Sequence, residues 1–183
     1  MILPGIFASQ ISGHLAVAGN LVSLQTVTVG SGGASSVSFT SIPQTYTHLQ
    51  VRAIANSSST SQAMLQMNSD TGNNYAFHDM SGNGSSAGAE GYATGTLNGI
   101  APIVRMGGSS YFGAGILNIL DYTNTNKNKV TRTLVGYDAA GSGAVYLASG
   151  LWTNTAAITT LTFTIQGGGN FSQYSQFALY GVK

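Results

Sequence analysis

Between Ser36 and Ala55 the chain alternates apolar and polar residues twice, with a proline between the two runs. Val37 and Phe39 alternate with Ser36, Ser38 and Thr40, and Leu49, Val51 and Ala53 alternate with His48, Gln50 and Arg52. A period of two places the apolar set on one face of an extended chain, and a helix cannot satisfy it. Pro43 has no amide hydrogen and fixes its own backbone angle, so Ile42-Pro43-Gln44-Thr45 reads as a bend between two strands, a hairpin-like unit. No helix of any length fits this stretch, and the remainder of the chain follows the same grammar.

Alternation recurs at Leu24 to Val29, Ala63 to Met67 and Val130 to Tyr137, while Tyr75 to Met80, Val145 to Leu151 and Phe177 to Val182 read as further extended runs. It is cleanest where Leu161, Phe163 and Ile165 interleave with Thr160, Thr162 and Thr164. Ile116 to Leu120 is apolar on both faces, which predicts a central strand covered on two sides. Ser81 to Gly99 is dense in glycine and small residues, with Tyr92 and Leu97 as its anchors, and is expected to be a loop carrying variable contacts. About nine to eleven short strands joined by glycine-rich turns predict an all-β fold. The expected form is a single-domain, jelly-roll-like β-sandwich over residues 21–183.

Residues 1–20 keep neither period. Leu3, Pro4, Ile6, Phe7, Ile11 and Leu15 are spaced by glycine and polar residues. Such a segment cannot fold alone, yet holds too many large apolar groups for a solvated tail. It is expected to be an extended arm, packed either over its own domain or onto a neighbouring subunit. Ala16-Val17-Ala18 looks like a cleavage site, but no basic leader precedes it and polar residues interrupt the apolar region, which argues against a signal peptide.

Composition narrows the function classes. Of 183 residues only 6% are charged, six basic and five acidic, with a net charge of +1. That gives no electrostatic footprint for a nucleic acid or an acidic membrane. It also leaves little repulsion between copies, so extended contact with other protein surfaces is favoured. No apolar run approaches the length of a membrane span. With no cysteine there is no disulfide framework and no thiolate nucleophile or metal ligand.

The motifs that suggest chemistry are weak. Asp70-Thr71-Gly72 matches the aspartic-protease tripeptide, but that chemistry needs two carboxylates sharing a proton and no second tripeptide exists. The neighbouring asparagines make it a turn. Asn68, Asp70, Asn73 and Asn74 could offer oxygens to calcium, with a single carboxylate among them. The glycines at Gly82, Gly84 and Gly88 lack the strand–helix setting of a dinucleotide loop. His14, His48 and His78 show no ligand spacing, and no choice among Asp79, Glu90, Asp121 and Asp138 singles out a catalytic acid pair. No catalytic residue, cofactor or metal is therefore expected. Trp152, with Tyr92 and Asn83, is the first candidate for a ligand or subunit contact.

Several phrases carry a resemblance: Leu3-Pro4-Gly5-Ile6 with Ile11-Ser12-Gly13, Thr28 to Gly33, Phe39 to Pro43 with Tyr46 to Arg52, and Asn68 to Tyr75. Ile119 to Tyr122 with Thr125-Asn126-Lys127, Ser149 to Trp152, and Phe177 to Gly181 continue it. Over most of its length the chain resembles small virion structural proteins of tailed phages, including cyanophages. The resemblance implies a non-enzymatic protein on the exterior of the particle, with other virion proteins as partners and no catalytic residues. The expectation built on it is a trimeric capsid cement or decoration protein held by its arm. The alternative is a minor tail or tail-fibre protein that binds host surface glycan.

Overall fold

The structure, a computed structural model, describes residues 20–108 and 110–183. The arm residues Leu3, Pro4, Ile6, Phe7, Ile11 and Leu15 lie outside the described residues. Those described form twelve strands and no helix: β1 Leu21–Thr28, β2 Ser36–Phe39, β3 His48–Ala55, β4 Thr60–Met67, β5 Tyr75–Gly82 and β6 Ala87–Leu97. The remainder are β7 Arg105–Gly107, β8 Gly113–Leu120, β9 Lys129–Asp138, β10 Gly143–Trp152, β11 Leu161–Ile165 and β12 Gln176–Val182.

They build a β-sandwich of two unequal antiparallel sheets. The larger has eight strands in the order β1-β12-β3-β8-β9-β10-β5-β6, and the smaller four, β2-β11-β4-β7. The core lies between them. Phe39 meets Phe163 edge-on at 6.0 Å, Phe163 meets Phe177 at 5.1 Å, and Phe171 closes on Phe177 at 5.1 Å. Edge-on and tilted ring pairs of this kind stabilise beyond the area they bury. The alternation of β11 holds as read: Leu161, Phe163 and Ile165 are buried and the threonines partly exposed.

Three expectations about the chain's course are corrected. The Ser36–Ala55 unit is a corner and not a hairpin, because β2 pairs with β11 in the small sheet while β3 joins the large one. The bend is pinned from across the sandwich: Tyr122 donates its hydroxyl to the Pro43 carbonyl, and Gln44 Nε2 donates to the carbonyls of Ile42 and Ile158 at 2.9 Å each. Most of Ser81–Gly99 is the edge strand β6, paired with β5. Its small residues hide the strand because main-chain hydrogen bonds, rather than side-chain alternation, hold it; nearly all of β6 is exposed. Third, β8 is covered on one face only. Leu117 and Ile119 are fully buried, whereas Ile116 and Leu120 point to the outside.

Candidate functional site

The outer face of the large sheet follows directly from the strand register. Across one row Arg52 of β3 stands beside Ile116, Leu134, Leu147 and Met80 of β8, β9, β10 and β5. The next row in that direction carries Ile54, Ala114, Gly136, Val145 and Gly82. The large apolar side chains in these two rows are exposed by between 42% (Ile116) and 67% (Met80), so they form one continuous apolar surface. Scattered single exposed apolar residues need no explanation, but a contiguous patch marks an interaction site. Where Ala114 and Gly136 replace larger residues the face dips into a groove of about 440 Å³, walled by Ile116, Leu134 and Val145.

A polar row borders the patch. Gln50 donates to Asn118 Oδ1 at 3.0 Å, Arg52 donates to Gln50 Oε1 at 2.9 Å, and the Arg52 guanidinium lies 5.1 Å from the Tyr180 ring centre. These bonds run along the sheet surface, which leaves the neighbouring apolar rows open above it. By alternation on β9, Arg132 stands on the same outward side as Leu134, and Asp138 does so at the strand's other end, where its Oδ1 accepts the Ala140 amide at 2.9 Å.

The residues singled out from the sequence fall elsewhere. Trp152 ends β10 on the inner face and is 1% exposed, stacked at 14° to Tyr75 with ring centres 6.3 Å apart. Its indole nitrogen donates to Asp70 Oδ2 at 2.7 Å. A ring so enclosed has no face left for a ligand or a second subunit, so its role as such a contact is corrected to that of a core pillar. The Asp70-Thr71-Gly72 turn reading holds. The Asp70 carboxylate also accepts the Gly72 amide at 2.8 Å and the Asn74 amide at 3.0 Å, while Asn68 Oδ1 accepts the Thr159 and Thr160 amides. The side-chain oxygens of Asp70 and Asn68, two of the four residues that could have faced calcium, thus accept from protein donors. Burial pushes the Asp70 carboxyl up, but the Trp152, Asn74 and Gly72 donors together outweigh it and hold it below the ordinary range.

Asn83 is exposed at the tip of the β5–β6 hairpin, where its Oδ1 accepts the Ser85 and Ser86 amides at 3.0 and 2.8 Å. Tyr92 lies on edge strand β6 with its ring tilted against Phe77 at 5.1 Å, and is half exposed. Trp152 pairs with Tyr75 at one end of β5, and Asn83 follows the other end. That separation is about 27 Å of extended chain, so the three residues do not share a site.

One pair of acids is brought together that sequence spacing did not single out. Asp79 on β5 stands directly opposite Glu90 on β6, eleven positions apart in the chain. Asp79 is 6% exposed, and among the described residues its Oδ1 has no hydrogen-bond partner. Burial, then the adjacent Glu90 charge, raise its carboxyl above the ordinary range, against a smaller opposing pull from Arg105. Arg105 is committed elsewhere, with its guanidinium 4.3 Å from the Tyr146 ring centre and Nη1 donating to Gln62 Oε1 at 2.6 Å. Only the hairpin register, set by the turn after β5, could have indicated this pair. Among the described residues no three metal-binding side chains gather.

No family model, curated protein or solved structure matches the chain.

Proposed function

We propose that this chain is a non-enzymatic structural protein of a phage virion, a jelly-roll-like β-sandwich that joins other subunits through the outer face of its large sheet. The observation that carries the reading is that face: exposed aliphatic side chains spanning β3, β8, β9, β10 and β5. With only 6% charged residues, the surface offers a partner shape and apolar area instead of charge. The virion setting rests on the resemblance described above. In this reading the arm, residues 1–20, attaches the sandwich to the particle as a capsid cement or decoration protein. A protein that binds only the assembled shell stabilises it by mass action, and many symmetry-related copies add avidity without strong single contacts.

Two variants test it by co-sedimentation with particles lacking the protein. Leu134→Lys puts a charge in the middle of the apolar rows and is expected to abolish stable incorporation; deletion of residues 1–20 is expected to release the protein from the particle. If both variants load like the wild type, the reading fails. The glycan-binding tail reading now has Tyr92 and Asn83 but not Trp152 to support it. Binding to a glycan array that Tyr92→Ala removes would favour it over the capsid role.

A further inference from the structure

The outer face carries its own complement. Take the line that crosses β9 at Val135, in the plane of the sheet and perpendicular to the strands. On β9 this line separates Leu134 from Gly136 and Arg132 from Asp138. On β8, where Gly115 pairs with Val135, it separates Ile116 from Ala114. On β10, where Tyr146 pairs with Val135, it separates Leu147 from Val145, and on β5, through Ser81, it separates Met80 from Gly82. On three of the five strands of the face a large side chain and a small one stand at equal distances on opposite sides of one axis; on β10 both are large, and on β3, where Ala53 pairs with Gly115, Arg52 stands opposite Ile54. The two charges of β9 that lie on this face, one of each sign, obey the same relation.

From this we infer that the occupant of the face is a second copy of the same chain, related by a two-fold axis along that line. The inference rests on reading the face as an assembly surface, as above, and names its partner. Rotation about an axis in the interface plane exchanges the two sides of the line. Leu134 then enters the gap over Gly136 of the second copy, Ile116 that over Ala114, and Met80 that over Gly82. Arg132 meets Asp138 of the second copy, and by symmetry the pair forms twice. Such an interface is isologous, each patch being its own partner. Two sheets packed face to face keep their strands within about 30° of one another, which preserves these pairings near the axis.

The area is also right for a second sheet. Five strands about 4.8 Å apart, each with about seven residues at about 3.4 Å, present about 600 Å² of flat surface. A standard stable interface buries about 800 Å² per partner, which the side-chain relief of the apolar rows and the bordering polar row bring within reach. A single extended peptide would cover about one strand's width and leave most of the rows wet. The sequence points the same way: Ile116 to Leu120 reads as a strand covered on both sides, and the described residues cover one of them.

Sedimentation velocity of the full chain over about 1–100 µM reads the assembly. A dimer is expected, with Leu134→Lys raising its dissociation constant about thirtyfold or more, since a charge is forced into the packed centre. Arg132→Asp and Asp138→Arg are each expected to weaken it about tenfold, and the double exchange to recover most of the loss. Circular dichroism of each variant shows whether it folds. Asp138 also caps its own turn, so recovery in the double variant is the outcome that a local disturbance cannot imitate. A wild-type monomer, a trimer, a dimer indifferent to Leu134→Lys, or a double exchange without recovery would each overturn the inference. A monomer whose Leu134 face is protected from hydrogen exchange, and loses that protection when residues 1–19 are removed, would give the face to the chain's own arm and overturn it too. The particle assay separates the two levels: a wild-type monomer that still loads onto particles sinks the dimer and spares the structural role. A dimer that never loads does the reverse.

Discussion

Asp70, in the turn after β4, and Asp79, in the middle of β5, are both acids, and their surroundings push them in opposite directions. Asp70 gains three donors, including the indole of the chain's one tryptophan, whereas Asp79 is buried beside Glu90 with an oxygen that has no partner among the described residues. Trp152→Phe keeps the ring packed on Tyr75 but removes the charged hydrogen bond, and is expected to cost about 1–2 kcal/mol in denaturant unfolding. Because the folded carboxyl of Asp70 lies below its unfolded value near 3.8, its contribution is full above that value and fades as pH falls through the folded one. The fluorescence of Trp152 should titrate in that same acid range, and Asp70→Asn should abolish the step. Asp79 has the reverse sign. Its folded carboxyl lies above 3.8, so the folded state binds more protons there and stability falls as pH rises through the window. Asp79→Asn is therefore expected to melt higher than the wild type at pH 7, with the difference shrinking below about pH 4. Thermal melts at the two pH values check it.

At the scale of elements, β7 and the segment before it lie across the inner face of β8 with the two backbones in near contact. Cβ atoms added at Gly113 and Gly115 would collide with the carbonyl oxygens of Arg105 and Ile103. Both glycines point inward by the alternation of β8, so the absence of a side chain is what admits the crossing segment. Gly115→Ala forces that segment outward and is expected to destabilise by about 1–3 kcal/mol, read from chemical denaturation. Ala114→Gly, one residue away on the outer face, should cost less than about 1 kcal/mol, because it removes one methyl group outside the chain's own core and otherwise changes only strand preference. A larger loss at Ala114 than at Gly115 would contradict this placement of β7.

For the molecule as a whole, the unequal sheets matter most. The large sheet turns one face to the core and the other outward, and among the described residues none covers the apolar rows of that outer face. Association through such a face should carry a negative heat-capacity change, measurable by calorimetric dilution at several temperatures. Salt should matter little: between about 0.05 and 0.5 M the dissociation constant is expected to change by less than about tenfold, because exposed ion pairs contribute weakly and are screened. A steep salt dependence would assign the association to charged groups instead of the aliphatic rows.

What could be read from residues alone was the local period. Alternation in β2, β3, β9 and β11 fixed the extended conformation and the choice of core side chains such as Phe39, Val51 and Phe163, because a strand's side chains point to opposite faces whatever it pairs with. Which strands pair is a long-range matter, and tertiary structure decided it. It turned the Ser36–Ala55 unit into a corner between sheets, made a strand of the glycine-rich segment that pairs with β5, and drew Trp152 inside to meet Asp70. It also set Asp79 against Glu90, and placed Ile116, Leu134, Leu147 and Met80 in one row although they are far apart in the chain. An apolar residue announces that it will be buried, but only the register of neighbouring strands shows whether its own chain or another surface does the burying.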